Sequence, residues 1–340
     1  MEFETVMNQP ADESRIYDLI VVGAGPTGIA IGAEARKAGL DVLLIDRGAL
    51  TAAILAFPTY MNFFTTRDKL AIADIPFAIP NEKPSRQDAL VYYRAVAAHY
   101  RLPLALHEEV IAIERQESLF NVGTRTKESE IRRRARAVAL ATGYFGNPVP
   151  YDIPGKDLPW VNRYYQDPYR HYGEDVVLIG GGNSACEAAL DLWRNGAGSV
   201  TLIVRGTQLK DGVKYWVRPD IENRIGEGSI RAHFNSIARV FKESPRGVEV
   251  QHGTENLFAK ADAVYILTGF LPDAQFERRC GIEVDAQTLI PKFDAESCES
   301  NVPGLYIAGT LQAGSDTGRI FIENSREHAP KIVAHLRKRL

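Results

Sequence analysis

Two six-residue runs carry the most legible chemistry in this chain: Gly23-Ala24-Gly25-Pro26-Thr27-Gly28 and Gly180-Gly181-Gly182-Asn183-Ser184-Ala185. Each follows an apolar stretch, residues 16–22 and 175–179, and each opens a segment with helical composition. A glycine turn at a strand-to-helix junction aims backbone N–H groups and the positive end of the helix dipole at one point, where a pyrophosphate binds. In that fingerprint the first glycine makes the turn, the second admits the phosphate, and the third lets helix and strand pack closely. Gly23, Gly25 and Gly28 fill these places in the first run, and Gly180, Gly182 and Ala185 in the second. Pro26 suits a first helical turn, where its missing N–H is not needed. Asn183 and Ser184 begin the second helix.

The residue ending the next strand separates the two sites. Asp46 lies 18 positions beyond Gly28, near the spacing at which an acid accepts hydrogen bonds from a ribose diol. Arg205 stands at the matching point of the second unit, where a guanidinium suits a 2′-phosphate. The pair reads as FAD at the first site and NADPH at the second, and so as a flavin oxidoreductase. Arg205 also reads simply as an exposed loop arginine. Lys210 and Lys214 follow it and can add charge to the same phosphate. Glu187, one turn into the second helix, suits a nicotinamide ribose or amide contact, or simply an acid favoured by a helix N-terminus.

The elements that position these residues come next. The first helix spans about 26–38 and ends at Gly39, before a strand at 41–45 that delivers Asp46 and Arg47. An insertion from 47 to about 90, punctuated by Pro58, Pro76, Pro80 and Pro84, contains an aromatic run at 59–64 whose Phe63 is a candidate flavin contact. A helix over 86–100 and strands at 109–115, 119–124 and 138–143 follow, the last ending in Ala141-Thr142-Gly143. The strand at 263–267 ends in Thr268-Gly269, an internal echo that brings both dipeptides to their cofactors. A strand leading into Gly309-Thr310 precedes a closing helix from about 318 or 320 to 337. Its N-terminus, near Ile320, would favour the anionic side of a reduced flavin. The expected fold is α/β, with two doubly wound Rossmann-like dinucleotide-binding domains. The first, discontinuous, takes 16–147 and 273–340 for FAD; the second takes 160–272 for NADPH. No residue is assigned as catalytic acid or base, and no metal ligand is proposed.

Composition narrows the partners. With 40 Lys+Arg against 43 Asp+Glu, the chain lacks the basic excess of a nucleic-acid binder. Arg132, Arg133, Arg134 and Arg136 form one basic cluster, expected on a solvated strand or turn. No run of 18 apolar residues suggests a membrane span. Residues 1–15 are polar, unlike a signal peptide, and are expected to be a disordered tail. Three widely spaced cysteines make no disulfide framework and point to a reducing cytoplasm.

The two fingerprints, with Ala141-Thr142-Gly143, Leu267-Thr268-Gly269 and Ala308-Gly309, resemble the two-domain flavoprotein disulfide reductases, the group of the thioredoxin reductases. The resemblance spans nearly all of the chain after residue 15. Thioredoxin reductases carry a CxxC at or in the NADPH domain; Cys186, Cys280 and Cys298 stand alone here. Phe57-Pro58-Thr59, Phe63-Phe64, Ile75-Pro76-Phe77, Lys214-Tyr215-Trp216-Val217 and Ile320-Phe321-Ile322-Glu323-Asn324 are similar to the bacillithiol disulfide reductase family. That resemblance implies FAD, NADPH, a small thiol disulfide as substrate and a homodimer. Members of the family often carry a cysteine just before the last glycine of the first loop; this chain has Thr27. A redox-protein acceptor, as for ferredoxin or flavodoxin NADP reductases, also fits a chain without CxxC. A flavin monooxygenase fits less well, because no FxGxxxHxxx[WY] stretch joins the two units, and a redox-sensing module without turnover is a fourth reading.

Overall fold

The computed structural model describes residues 14–340. The expected tail thus lies, over residues 1–13, outside the described residues. Arg15 is held by Asp41 through two hydrogen bonds of 2.9 and 2.7 Å. The chain divides into two compact units. The first comprises, of the described residues, 14–56, 60–147 and 271–340; the second comprises 57–59 and 148–270.

The first unit begins with β1 (Ile16–Val22), α1 (Pro26–Lys37), β2 (Val42–Asp46), the short α2 (Ala52–Leu55) and α3 (Arg67–Leu70), and α4 (Arg86–His99). It continues with β3 (Leu104–Leu106), β4 (Glu109–Gln116), β5 (Leu119–Arg125) and β6 (Glu130–Leu140). α4 starts where its sequence says it should. Ser85 Oγ accepts from Asp88 N–H, and Asp88 accepts from Ser85 N–H, a reciprocal cap. β3, β2, β1 and β6 run parallel side by side. The first half of β6 pairs antiparallel with β5, and its last residues pair parallel with a later strand. Arg133, in the middle of β6, corrects the expectation of a solvated basic cluster. It is 1% exposed and makes two 2.8 Å bonds to the buried carboxylate of Glu108. Strand alternation turns Arg133 to the opposite face from Arg132 and Arg134, so the cluster could not all face water.

The second unit holds β7 (Val161–Asn162), β8 (Asp175–Ile179), α5 (Asn183–Arg194), β9 (Ser199–Ile203), α6 (Arg218–Gly226) and β10 (Arg231–His233). It ends with β11 (Ser236–Glu243), β12 (Arg246–His252), β13 (Glu255–Lys260) and β14 (Ala263–Ile266). The parallel sheet runs β10-β9-β8-β14-β7. Val176 and Leu178 bury one face under Ala185, Leu192 and Ile221 of the helices. Val177 and Ile179 bury the other under Phe241, Val248 and Val250 of the antiparallel sheet β11-β12-β13. At roughly 1.5–3 kcal/mol for each large aliphatic side chain, both faces contribute heavily.

The chain then returns to the first unit with α7 (Ala274–Arg279), β15 (Leu305–Ile307) beside β6, α8 (Ile322–Ser325) and α9 (His328–Arg337). The expected single closing helix is in fact two. Pro330 lacks the N–H that would bond the carbonyl of Arg326, and its ring crowds that carbonyl. The helix therefore restarts at His328, leaving Pro330 within the first turn of α9. A mixed sheet with a parallel core, assembled from separated segments, and a second, parallel sheet make the α/β chain that the sequence predicts.

Candidate cofactor sites

The first glycine loop leaves β1 and enters α1. Gly23 has φ +108°, and a Cβ there would strike the Ala141 carbonyl. A Cβ on Gly28 would strike the carbonyl of Gly23. Gly25, the N-cap of α1, has no atom within 4 Å of its Cβ position and faces open space. Two glycines thus close the turn, and the third leaves an opening at the helix N-terminus, the shape a pyrophosphate needs. Asp46 braces this loop. Its Oδ2 accepts from Ala24 N–H at 2.7 Å and its Oδ1 from Gly48 N–H at 2.8 Å. Arg47 points elsewhere: its Nη2 donates to the Gly146 carbonyl at 3.0 Å and pins the turn after β6.

Three distant segments meet this loop. Thr142 and Gly143 follow β6; the Cβ position of Gly143 lies 3.6 Å from Thr310 Oγ1. Thr27 packs on Gly309, its Oγ1 3.1 Å from the Cβ position there. The same hydroxyl is 3.1 Å from Ser325 Oγ at the end of α8. Gly309 N–H donates to His328 Nδ1 at 3.1 Å. That bond places the imidazole proton on Nε2. Burial, with Lys331 adding to it, pushes the His328 pKa down to about 4, so the ring is neutral at physiological pH. Ser325 and His328 are absent from the site residues read from sequence. Phe63 is buried in the insertion with its N–H on the Pro84 carbonyl, and Ile320 is half-buried two residues ahead of α8.

The second loop repeats the construction. Gly180 has φ +145°, and a Cβ would strike the Leu267 carbonyl. At Gly182, the N-cap of α5, a Cβ would meet only Lys210 Cδ, at 3.6 Å. Ala185 is fully buried under the helix and Ser184 is exposed. Thr268 Oγ1 is buried without a hydrogen-bond partner, and Gly269 beside it has open space at its Cβ position. Arg205 and Lys210 are exposed, and neither has an ion-pair partner among the described residues. Lys214 differs: its Nζ is 2.6 Å from Glu187 Oε1, and its backbone N–H donates to Asn183 Oδ1.

Both cradles fit a dinucleotide: each has an opening at a helix N-terminus, and the second also has an orphaned buried hydroxyl. Neither includes a thiol. Cys186, Cys280 and Cys298 are buried, and burial pushes the first two up to about 12 and raises the third as well. Among the described residues no helix is long and apolar enough to cross a membrane.

Comparison with known proteins agrees with this geometry. The chain is 35% identical over 321 residues to bacilliredoxin reductase Bdr of Bacillus subtilis, covering 94% of this chain and 97% of that protein. The solved structure of bacillithiol disulfide reductase Bdr from Bacillus cereus superposes with a TM-score of 0.92 at 32% identity, covering 96% of this chain and all of the other. Its counterpart from Staphylococcus aureus gives 0.89 at 33% identity, with the same coverage. Residues 20–309 match the family described as pyridine nucleotide-disulphide oxidoreductase, which uses a flavin and a pyridine nucleotide. The chain belongs to the pyridine nucleotide-disulphide oxidoreductase family.

Proposed function

We propose that this chain is an FAD-containing, NADPH-dependent reductase of a low-molecular-weight thiol disulfide of the bacillithiol type. The observation carrying the reading is the pair of complete cradles with opposite charges at matching strand ends, Asp46 and Arg205, in a chain so similar to Bdr. The net reaction is RSSR + NADPH + H⁺ → 2 RSH + NADP⁺. The flavin supplies a two-electron carrier between the nicotinamide hydride and the disulfide bond. In the first unit, residues 16–147 and 273–340, Gly25 and the α1 N-terminus bind its pyrophosphate, and Asp46 takes the ribose diol. Thr142, Gly143, Gly309 and Thr310 close around it. In the second unit, residues 160–272, Gly182 and α5 bind the NADPH pyrophosphate, and Arg205 takes the 2′-phosphate. Thr27 presents a hydroxyl, so the disulfide is reduced without a thiol of this chain. Free buried cysteines fit a reducing cytoplasm, and the resemblance supports a homodimer.

Anaerobic stopped-flow mixing tests the reading. NADPH, and not NADH, should bleach the absorbance near 450 nm, and bacillithiol disulfide should restore it rapidly. Restoration by ferredoxin or flavodoxin alone would replace the disulfide with a one-electron protein acceptor.

A further inference from the structure

Residues 206–217, between β9 and α6, lie across the mouth of the second glycine loop. Leu209, Val213 and Val217, spaced four apart, are buried in the core beneath α5 and α6. The polar face is tied to the loop itself. Lys210 N–H donates to the Gly181 carbonyl at 2.8 Å. Asn183 grips the segment twice, donating to the Gly212 carbonyl at 2.9 Å and accepting from Lys214 N–H at 2.8 Å. Arg218 Nη2 donates to the Lys210 carbonyl at 2.6 Å. The last tie is the ion pair of Lys214 with Glu187, whose side chains are 16% and 35% exposed. These contacts carry the Lys210 stem over Gly182.

From this arrangement we propose that residues 206–217 form a strap that places the Lys210 ammonium on the cofactor pyrophosphate, and that Glu187–Lys214 is the strut fixing the strap. Arg205 is then the one discriminating cation of the three. The inference rests on the NADPH reading and divides the work within that site. Charge decides the division. Lys214 is neutralised by Glu187 and offers a bound phosphate little net attraction. Lys210 has no ion-pair partner among the described residues and its stem lies at the second fingerprint position, where the backbone approaches the pyrophosphate. Arg205, also without an ion-pair partner among the described residues, stands at the strand end, where the 2′ substituent is read. The pyrophosphate is common to NADPH and NADH; the 2′-phosphate is not. Lys210 and Lys214 should therefore affect both nucleotides alike, Lys210 by contact and Lys214 as a positioning residue.

The test is calorimetric titration of the flavin-loaded enzyme with NADP⁺ and NAD⁺, with flavin absorbance and circular dichroism as folding controls. Arg205→Ala should weaken NADP⁺ by about tenfold or more, as loss of a charged contact of ~1.4 kcal/mol or greater requires, and leave NAD⁺ unchanged. Lys210→Met and Lys214→Met should each weaken both nucleotides by one common factor, preserving their ratio. Glu187→Gln should reproduce Lys214→Met, and the reversed pair Glu187→Lys with Lys214→Glu should recover most of the loss. If Lys214→Met changed the NADP⁺ to NAD⁺ ratio, Lys214 would be a 2′-phosphate ligand and the strut would be wrong. Unchanged affinities, or no rescue by the reversed pair, would also overturn it. A wild-type protein without preference for NADP⁺ would instead sink the NADPH reading itself.

Discussion

At the scale of single residues, Thr27 separates this chain most sharply from the family it resembles. Its hydroxyl is shared with Ser325, and its side chain rests on Gly309. A cysteine there would keep the β-carbon, put sulfur where the hydroxyl oxygen stands and lose the methyl. It would also lie in the first turn of α1, where the helix dipole stabilises a thiolate. Thr27→Cys should therefore fold and gain one reactive thiol. Under native conditions iodoacetamide should add about one equivalent to the variant and none to the parent protein, whose cysteines are buried and protonated. Labelling of the parent at a similar rate would refute the claim that this chain works without a thiol. Thr27 was legible in sequence because the glycine fingerprint fixes its place. Its partner was not, because Ser325 lies 298 positions away and nothing local marks it. His328 falls within the closing helix that the sequence predicts, but nothing local gives it a role; the bond from Gly309 N–H gives it a tautomer and a place.

Elements were legible in proportion to how local their causes are. α1 and α5 announce themselves through glycine loops, and α4 through its Ser85–Asp88 cap. The sheet β11-β12-β13 went unread because its strands mix charged and apolar residues and gain identity only by covering Val177, Ile203 and Val264. α7 hides a different feature. Glu277 is 2% exposed, and neither carboxylate oxygen has a partner. Burial, with Asp273 adding to it and Arg278 opposing, pushes its pKa up to about 8. The unfolded chain gives up this proton near pH 4.5 and the folded chain near 8, so stability is whole below about 4.5 and drains away as pH rises through about 8. Each pH unit of that window is worth about 1.4 kcal/mol, which makes the penalty of order a few kcal/mol at pH 9. Glu277→Gln removes the charge and keeps the shape. The variant should melt several degrees above the parent at pH 9, with the gap closing toward pH 5. Parallel melting curves across that range would show that the carboxyl finds a partner when it ionises.

For the molecule as a whole, the repeated strand–loop–helix plan is legible in the sequence, and the structure adds the contacts that shape each loop. Among the described residues around the first loop, Asp46, Thr142, Gly309 and Ser325 belong to the first unit, as does His328 behind Gly309. Around the second, Leu267, Lys210 and Asn183 belong to the second unit, as does the Glu187–Lys214 pair beside them. The sequence could not reveal all of these contacts: Asp46 reads only as a ribose acceptor, whereas in the fold it holds the loop together. Asp46→Ala would leave the N–H groups of Ala24 and Gly48 without their charged acceptor, at about 1.5–3 kcal/mol each. The loop should then lose its shape, and the purified variant should lack flavin absorbance even after incubation with excess FAD. If the units are independent binders, the same flavin-free protein should still bind NADP⁺ within about threefold of the parent, since affinity there is set by contacts the substitution leaves intact. Loss of NADP⁺ binding together with the flavin would mean that the second cradle depends on a filled first one, and that the two sites are coupled by a free energy which neither local geometry contains.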